Sequence, residues 1–274
     1  MTEGPQSFSS SSLASALVAR HAGWVSEPIE PPATVLLLLE AQRAMFEAAT
    51  LLPASPLLRR APRGDGHPVL VLPGFGASDR STGVLRRYLE GLGYGVHPWT
   101  FGRNLGPRGD LPQRLGARLA ELQQKGERKV SLVGWSLGGI YAREMARRMP
   151  QYVRQVITLG SPFRGGGRPT NVGRIIRALT GANMRERGPA WMADIAKPPP
   201  VPSTAIFSRT DGIAAWRACI EMEAPNTDNI EVIGSHCGLG FNPVVLYAIA
   251  DRLAQDEDGW STFDRSGIRR LFYR

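Results

Sequence analysis

The five residues at positions 134–138, Gly-Trp-Ser-Leu-Gly, constrain the fold of this chain more than any other segment. An apolar run at residues 130–133 leads straight into them, and a helix-forming run leads out from Ile140. In a G-x-S-x-G pattern between a strand and a helix, the serine occupies a strained turn with its hydroxyl exposed. The turn crowds the positions two before and two after the serine, and both are glycine. The pattern predicts that Ser136 is a nucleophile; the alternative is a glycine-flanked turn with an idle serine.

Short apolar runs alternate with amphipathic stretches of helical length from residue 67 onward. The candidate strands are residues 69–72, 94–100, 129–134, 153–159, 203–207 and 230–233. The candidate helices are residues 79–91, 110–125, 137–149 and 243–254. Continuous apolar strands separated by helices are typical of a parallel sheet that helices cover on both faces. The sequence therefore predicts an α/β fold with a mostly parallel sheet.

Two segments interrupt this alternation. Residues 1–66 predict an N-terminal helical extension, with a helix over about residues 34–52, before a main domain at residues 67–274. The polar face of that helix is not notably basic, which favours packing on the main domain over binding a membrane or a partner. Residues 162–202 hold three consecutive glycines, a predicted helix near residues 172–180 and three consecutive prolines. A segment of that length between two strands predicts an inserted cap or lid.

A serine nucleophile needs a base. Where the serine lies between a strand and a helix of a parallel α/β sheet, the acid and then the base follow it along the chain. Of the four histidines only His236 lies beyond the turn, in a glycine-rich loop after the last predicted strand. Asp211 lies on the loop that leaves the strand at residues 203–207, where an orienting carboxylate belongs. We therefore predict a triad of Ser136, Asp211 and His236; an ordinary Asp-Gly turn is the alternative for Asp211. The other acidic candidates are Asp194, Glu221, Glu223, Asp228 and Glu231.

Acyl transfer also needs two backbone N–H groups directed at the developing negative charge. Leu137 follows the nucleophile directly, so its amide is the first expected donor. The second should come from the loop after the first parallel strand, residues 73–76, Pro-Gly-Phe-Gly. We choose Phe75 there, whose ring would also form a wall of the acyl pocket. Phosphate binding by this loop is disfavoured, because it lacks both G-x-G-x-x-G and G-x-x-x-x-G-K-[ST].

These motifs together resemble the α/β-hydrolase superfamily, and within it the bacterial lipase/esterase branch. The resemblance covers roughly residues 67–255 and is carried by residues 72–76, 134–139, 208–212 and 234–240. It implies an α/β-hydrolase fold, the triad and the two oxyanion amides named above. Many lipases of this branch have His-Gly in the oxyanion loop, whereas Pro73 stands at that histidine here. Because the donors are backbone groups, we expect the oxyanion hole to survive the change.

The net charge of +9 does not by itself indicate a nucleic-acid partner. The 33 basic residues are 30 Arg and 3 Lys, a ratio that codon bias explains as easily as a binding surface. The excess lies in residues 59–187, where no zinc finger, RNA-binding signature or basic zipper occurs. We expect a solvated Arg-rich surface with some attraction for anionic membranes or lipid interfaces, and no nucleic-acid partner.

Targeting features and cysteines bear on the compartment. The first 20 residues have no basic head followed by an apolar core, and the strongly apolar run near residues 35–39 is far short of a membrane span. We therefore expect a cytoplasmic protein. Cys219 follows residues 208–212, which hold the predicted acid (the acid loop), and Cys237 follows the predicted base within residues 234–240 (the base loop). Neither cysteine has a metal-binding CxxC partner. The sequence leaves open whether they form a disulfide, as in some secreted lipases, or stay reduced.

The predicted function is cleavage of carboxylic esters by a lipase or esterase through an acyl-enzyme. Apolar residues in the predicted cap suit a lipid-like acyl ester substrate, and no metal or cofactor is expected. An acyltransferase, which would use the same triad with an alcohol or amine in place of water, is one alternative. The other is a non-catalytic protein that binds a membrane or a partner on the same fold, although a triad in complete order argues against it.

Overall fold

A sheet of six parallel strands forms the centre of the chain. The computed structural model describes residues 29–165 and 194–274. The strands are β1 (Pro68–Leu72), β2 (Gly95–Pro98), β3 (Val130–Trp135), β4 (Val153–Leu159), β5 (Ser203–Phe207) and β6 (Thr227–Glu231). Their order is β2-β1-β3-β4-β5-β6, and all pairings among them are parallel. β1 and β3 are buried from end to end, which is why their sequences are mainly apolar instead of alternating.

Helices cover the sheet on both faces. They are α1 (Thr34–Leu38), α2 (Glu40–Ala49), α3 (Leu51–Leu58), α4 (Gly83–Leu92), α5 (Leu111–Gly126), α6 (Leu137–Arg148) and α7 (Pro243–Leu253). α4 and α7 share a hydrophobic cluster with Val69 and Val71 of β1, whereas α5 and α6 share one with Leu70 and Leu72. Successive residues of a strand point to opposite faces, so β1 serves both clusters. The α/β architecture predicted from the sequence is confirmed.

The N-terminal helix is divided, and the structure describes little of the segment predicted as a cap. The helix predicted over residues 34–52 is present as α1, α2 and α3, with breaks at Leu39 and Thr50. The predicted helix near residues 172–180, with most of the segment around it, lies outside the described residues. Within the described ranges, no helix is both long and apolar enough to cross a membrane.

The last strand lies earlier in the sequence than predicted. β6 begins at Thr227, and Ile233, which was expected inside the strand, is exposed beyond its end. The first three residues of β6 are polar, which conceals the strand from a search for apolar runs. Its position follows instead from backbone pairing: β5 bonds one side, and Glu231 exchanges backbone hydrogen bonds with Arg274 on the other.

The carboxyl ends of the six strands meet at one edge of the sheet because all of them run the same way. β1 leads into residues 73–76, β3 into Ser136, β5 into residues 208–212, and β6 into the loop that holds His236. β1 and β3 are neighbours although β2 lies between them in sequence, so the direction of winding reverses there. Open α/β sheets bind ligands in the crevice at such a switch point. The topology thus gathers the predicted site residues at one edge.

Candidate active site

Ser136 occupies a strained turn between β3 and α6. Its backbone has φ 53° and ψ −119°, a conformation that costs a residue with a side chain about 1–3 kcal/mol. The Ser136 amide donates to the carbonyl oxygen of Leu159 at 2.8 Å, and its carbonyl accepts from the Gly139 amide at 3.0 Å. These bonds hold the turn in place from both sides. The strain at this serine is therefore built into the fold, as the sequence pattern predicts.

The glycines around Ser136 are required by close backbone approach. A Cβ atom at Gly134 would overlap the backbone of Gly139, and one at Gly138 would overlap the carbonyl of Leu72 at the end of β1. On the facing loop, a Cβ at Gly74 would lie 3.3 Å from the Cβ of Ser136. The loop after β1 is therefore packed directly against the serine.

His236 and Asp211 form a buried hydrogen-bonded pair at the same edge. The Nδ1 atom of His236 lies 2.6 Å from Oδ2 of Asp211. The other carboxylate oxygen, Oδ1, accepts from the amides of Ile213 at 2.8 Å and Ala214 at 2.7 Å. Both side chains are almost fully buried. The Asp-Gly turn therefore orients the carboxylate towards the imidazole, so the turn and an acid role are compatible.

The environment of His236 makes its imidazole a stronger base than usual. Burial lowers the pKa of His236, but the charge of Asp211, its hydrogen bond and the charge of Glu40 raise it, and the net pKa lies above the ordinary 6.5. An imidazole with a raised pKa takes up a proton more readily. The pair can therefore accept a proton from a neighbouring hydroxyl and hold the charge that results.

Trp135 and Gly160 join the serine turn to the acid and base loops. The indole Nε1 of Trp135, the residue before the serine, donates to the carbonyl oxygen of His236 at 3.0 Å. A Cβ atom at Gly160, which follows β4, would lie 3.1 Å from both Oδ2 of Asp211 and Nδ1 of His236. The turns after β3, β4, β5 and β6 thus converge at one edge of the sheet, where His236 contacts Asp211 and Ser136 lies on the turn beside Gly160.

The expected oxyanion donors lie on the two segments beside Ser136. Leu137 is the first residue of α6, where backbone N–H groups have no acceptor within the helix. Phe75 is half-buried in the loop after β1, with its ring against the cluster beneath α5 and α6. Both amides therefore belong to the turns that face the serine.

A buried asparagine fixes the loop after β1, and sequence reasoning missed it. The Nδ2 atom of Asn104 donates to the carbonyl oxygen of Pro73 at 2.8 Å. The backbone carbonyl of Asn104 accepts from the Gly76 amide at 2.7 Å, and the backbone amide of Asn104 donates to the carbonyl oxygen of Ala77 at 2.8 Å. Asn104 is fully buried, which suits a residue that holds the loop through its backbone. No local pattern around residue 104 marks it.

The charged side chains of α2 were also missed. Glu40, Arg43 and Glu47 recur at helical spacing, but the sequence pattern predicts only that this helix packs on the domain and does not indicate which side chains face it. Glu40 is buried at 5% exposure, whereas Met45 and Phe46 are 74% and 67% exposed. The polar stripe, not the apolar one, therefore faces the acid and base loops.

The two cysteines are free thiols in this structure. Cys219 is buried, and its Sγ donates to the carbonyl oxygen of Ala215 at 3.5 Å, whereas Cys237 is exposed on the base loop. The sequence leaves open a disulfide or two reduced thiols, and the structure has the reduced thiols. The acid and base loops are held together by other contacts.

Comparison with known proteins places these observations among hydrolases. A sequence profile of the alpha/beta hydrolase family matches residues 43–270. Triacylglycerol lipases of Pseudarthrobacter phenanthrenivorans and Burkholderia plantarii are 32% identical over 108 residues, which is 36% of this chain and 34% and 30% of theirs. The chain thus matches about a third of the length of these relatives.

Two solved lipase structures share the fold. Lipase B of Aspergillus fumigatus superposes with a TM-score of 0.53 at 17% identity, over 70% of this chain and 53% of that one. A Bacillus licheniformis lipase in its mature form gives a TM-score of 0.50 at 16% identity, over 71% and 94%. At such identities the likeness shows the fold alone.

Proposed function

The chain belongs to the alpha/beta hydrolase family, and from that premise we propose that it cleaves carboxylic esters as a lipase or esterase. The observation that carries the proposal is the 2.6 Å contact between His236 and Asp211 at the sheet edge where Ser136 occupies its strained turn. A serine in such a turn, a base with a raised pKa and a buried orienting carboxylate are the parts that acyl-enzyme chemistry requires.

The reaction proceeds in two halves. His236 takes the proton from the Ser136 hydroxyl as its oxygen attacks the ester carbonyl, and the negative oxygen that forms is stabilised by the amides of Phe75 and Leu137. The imidazolium, held by Asp211, returns the proton to the leaving alcohol, and the acyl group stays on Ser136. Water then attacks the acyl-enzyme with His236 again as base, which releases the acid and restores the serine.

The substrate class we propose is an apolar, lipid-like acyl ester. The names of the curated relatives, both triacylglycerol lipases, favour it. The half-buried Phe75 beside the serine turn gives the site an apolar wall that suits an acyl chain. A panel of p-nitrophenyl esters of increasing acyl length, with and without an emulsion interface, measures this preference.

The serine assignment is tested by Ser136→Ala. We expect the variant to lose about 1,000-fold or more in kcat on a short p-nitrophenyl ester, because no other group replaces the nucleophile. Circular dichroism checks that the variant is folded. A fluorophosphonate probe, which bonds a nucleophilic serine oxygen and releases fluoride, should label the wild-type protein once and the variant not at all. A folded variant that keeps its activity would disprove the assignment.

Hydrolysis is distinguished from acyl transfer by product analysis. Incubation of the ester with a competing alcohol should yield mainly the free acid if water is the acceptor. A product that is mainly the new ester would instead identify an acyltransferase with the same acyl-enzyme.

A further inference from the structure

α2 presents charged side chains to the acid and base loops and leaves its two large apolar side chains, Met45 and Phe46, exposed. A helix at a protein surface ordinarily buries its apolar stripe. Burying Glu40 is favourable only if its charge is matched by hydrogen bonds. The contacts of Glu40 show how it is matched.

The Glu40 carboxylate bonds to both loops of the predicted triad. Its Oε1 atom accepts from the amides of Gly212 at 2.7 Å and His236 at 3.1 Å, and its Oε2 atom accepts from Cys237 at 3.0 Å. Gly212 is the residue after the predicted acid, and a Cβ atom there would overlap the backbone of α1 at Leu36. One carboxylate thus connects the residue beside the acid with the base itself.

The other two charged residues of the stripe bond to the same loops at different points. Arg43 donates through Nη2 to Thr210 Oγ1 at 2.7 Å and to the Gly234 carbonyl at 2.8 Å. Glu47 accepts from the Ser235 amide at 2.6 Å and from Asn242 Nδ2 at 2.9 Å. Glu47 therefore supports the base loop without bonding to His236.

We propose that Glu40 is a positioning residue for His236, which holds the base loop against the acid loop and places a second negative charge near the imidazolium formed in catalysis. The inference rests on the proposed ester hydrolysis and deepens it. Glu40 acts through His236, since its contacts are to backbone amides of the two loops. The family profile begins at residue 43, so the match does not include Glu40.

The charged and titratable groups that surround His236 come from three elements. Asp211 faces it from the loop after β5, Glu40 from α2, and Cys237 follows it on the base loop. Glu47 and Arg43 of α2 bond to its neighbours Ser235 and Gly234. Burial lowers the pKa of His236, and the charges of Asp211 and Glu40 both raise it. Loss of the Glu40 charge should therefore lower that pKa.

The test is the pH profile of Glu40→Gln, which keeps the size of the side chain and removes its charge. Activity requires neutral His236, so kcat/KM falls as pH drops through its pKa, which lies above 6.5 in the wild-type enzyme. Without the charge we expect this acid limb to move down by about 0.5–1 pH unit. We also expect kcat to fall about tenfold with KM within about twofold, because the base is less well held.

Glu47→Gln is the matched control, since it removes a charge from the same helix and loosens the same loop without touching His236. Its acid limb should coincide with that of the wild-type enzyme. An acid limb that stays in place in folded Glu40→Gln, or that moves equally in Glu47→Gln, would overturn the proposal. If Glu40→Gln does not fold, Glu40→Asp is the second variant, because it keeps the negative charge on a side chain that is one methylene shorter and reaches the two loops less well. A lower kcat with an unmoved limb supports the positioning role, and unchanged kcat contradicts it.

A measurement independent of hydrolysis separates this inference from the proposed function. Histidine labelled at Cε1 allows the pKa of His236 to be read by NMR in the Ser136→Ala background, with the signal assigned by its loss in His236→Asn. The pKa should be lower when Glu40→Gln is added. If Ser136→Ala remains active, the proposed function fails while this titration still decides the role of Glu40; if it is inactive and the titration does not move, only the Glu40 inference fails.

Discussion

A second set of serine, histidine and aspartate lies at the opposite end of the sheet. It shows that these three residue types in contact do not by themselves make a nucleophile site. His67 Nε2 lies 2.9 Å from the Ser131 hydroxyl, and His67 Nδ1 lies 2.5 Å from Asp65 Oδ1. Ser131 lies inside β3, beside a register shift in the pairing of β3 with β4, and neither it nor His67 has any exposed surface. Burial lowers the pKa of His67 below the ordinary value. Ser136 differs by its strained turn and by the loops that converge on it.

We predict that Ser131→Ala leaves ester hydrolysis within about twofold of wild type. The change removes the partner of a buried imidazole nitrogen, so the free energy of unfolding should fall by about 1–3 kcal/mol. Chemical denaturation measures the stability, and p-nitrophenyl ester assays measure the rate. A folded Ser131→Ala protein without activity would contradict the proposed site at Ser136 and place the chemistry at the Ser131 end of the sheet.

Among the secondary-structure elements, those with a strong local pattern were predictable and those defined by distant contacts were not. β3 and α6 lie within a residue of their predicted bounds, because the apolar run and the two glycines are adjacent in sequence. α2 was predicted as part of a helix, but its orientation depends on loops 172 and 196 residues away from Glu40. Polar and apolar residues both recur at helical spacing in this helix, so its sequence does not indicate that backbone amides of distant loops bind the polar side. The predicted bounds of β6 were wrong for a similar reason, because its polar first residues pair through the backbone with distant parts of the chain.

The loop after β1 is an element whose shape depends on one side chain. We predict that Asn104→Ala lowers kcat by about 10–100-fold with little change in KM, because the loop would no longer hold the Phe75 amide in place. Asn104 also accepts from the Tyr141 hydroxyl at 3.3 Å, so Tyr141→Phe, which removes that bond and leaves the one to Pro73, is the control. Steady-state kinetics on a short ester distinguish the two variants. Equal kinetics in wild type and Asn104→Ala would contradict this role of the loop.

At the scale of the whole molecule, the described helices of the basic stretch lie on both faces of the sheet. The basic stretch at residues 59–187 contains α4 on one face and α5 and α6 on the other. Some of its arginines are paired within the fold, as Arg143 is with Glu221 and Arg147 with Asp194. A charge distributed in this way suits general attraction to an anionic surface better than a groove for a polynucleotide.

We predict that the protein binds vesicles of anionic lipid weakly and in a salt-dependent manner. Raising the ionic strength from about 0.05 M to about 0.5 M should reduce binding at least about tenfold, because exposed charges are screened. Vesicles of neutral phosphatidylcholine are the control, and sedimentation measures the bound fraction. Binding to both kinds of vesicle that does not change with salt would contradict an electrostatic origin.

The contacts of α2 also have a consequence for the order in which the chain acquires its properties. Contacts between residues far apart in sequence form late in folding, because the intervening loop must first be closed. The bond from His236 to Glu40 spans 196 residues, so Glu40 leaves the ribosome long before His236 does. Until the base loop emerges, the carboxylates of α2 have only water to accept hydrogen bonds from. The proposed hydrolytic activity is therefore gained only after all six strands of the sheet have been synthesised.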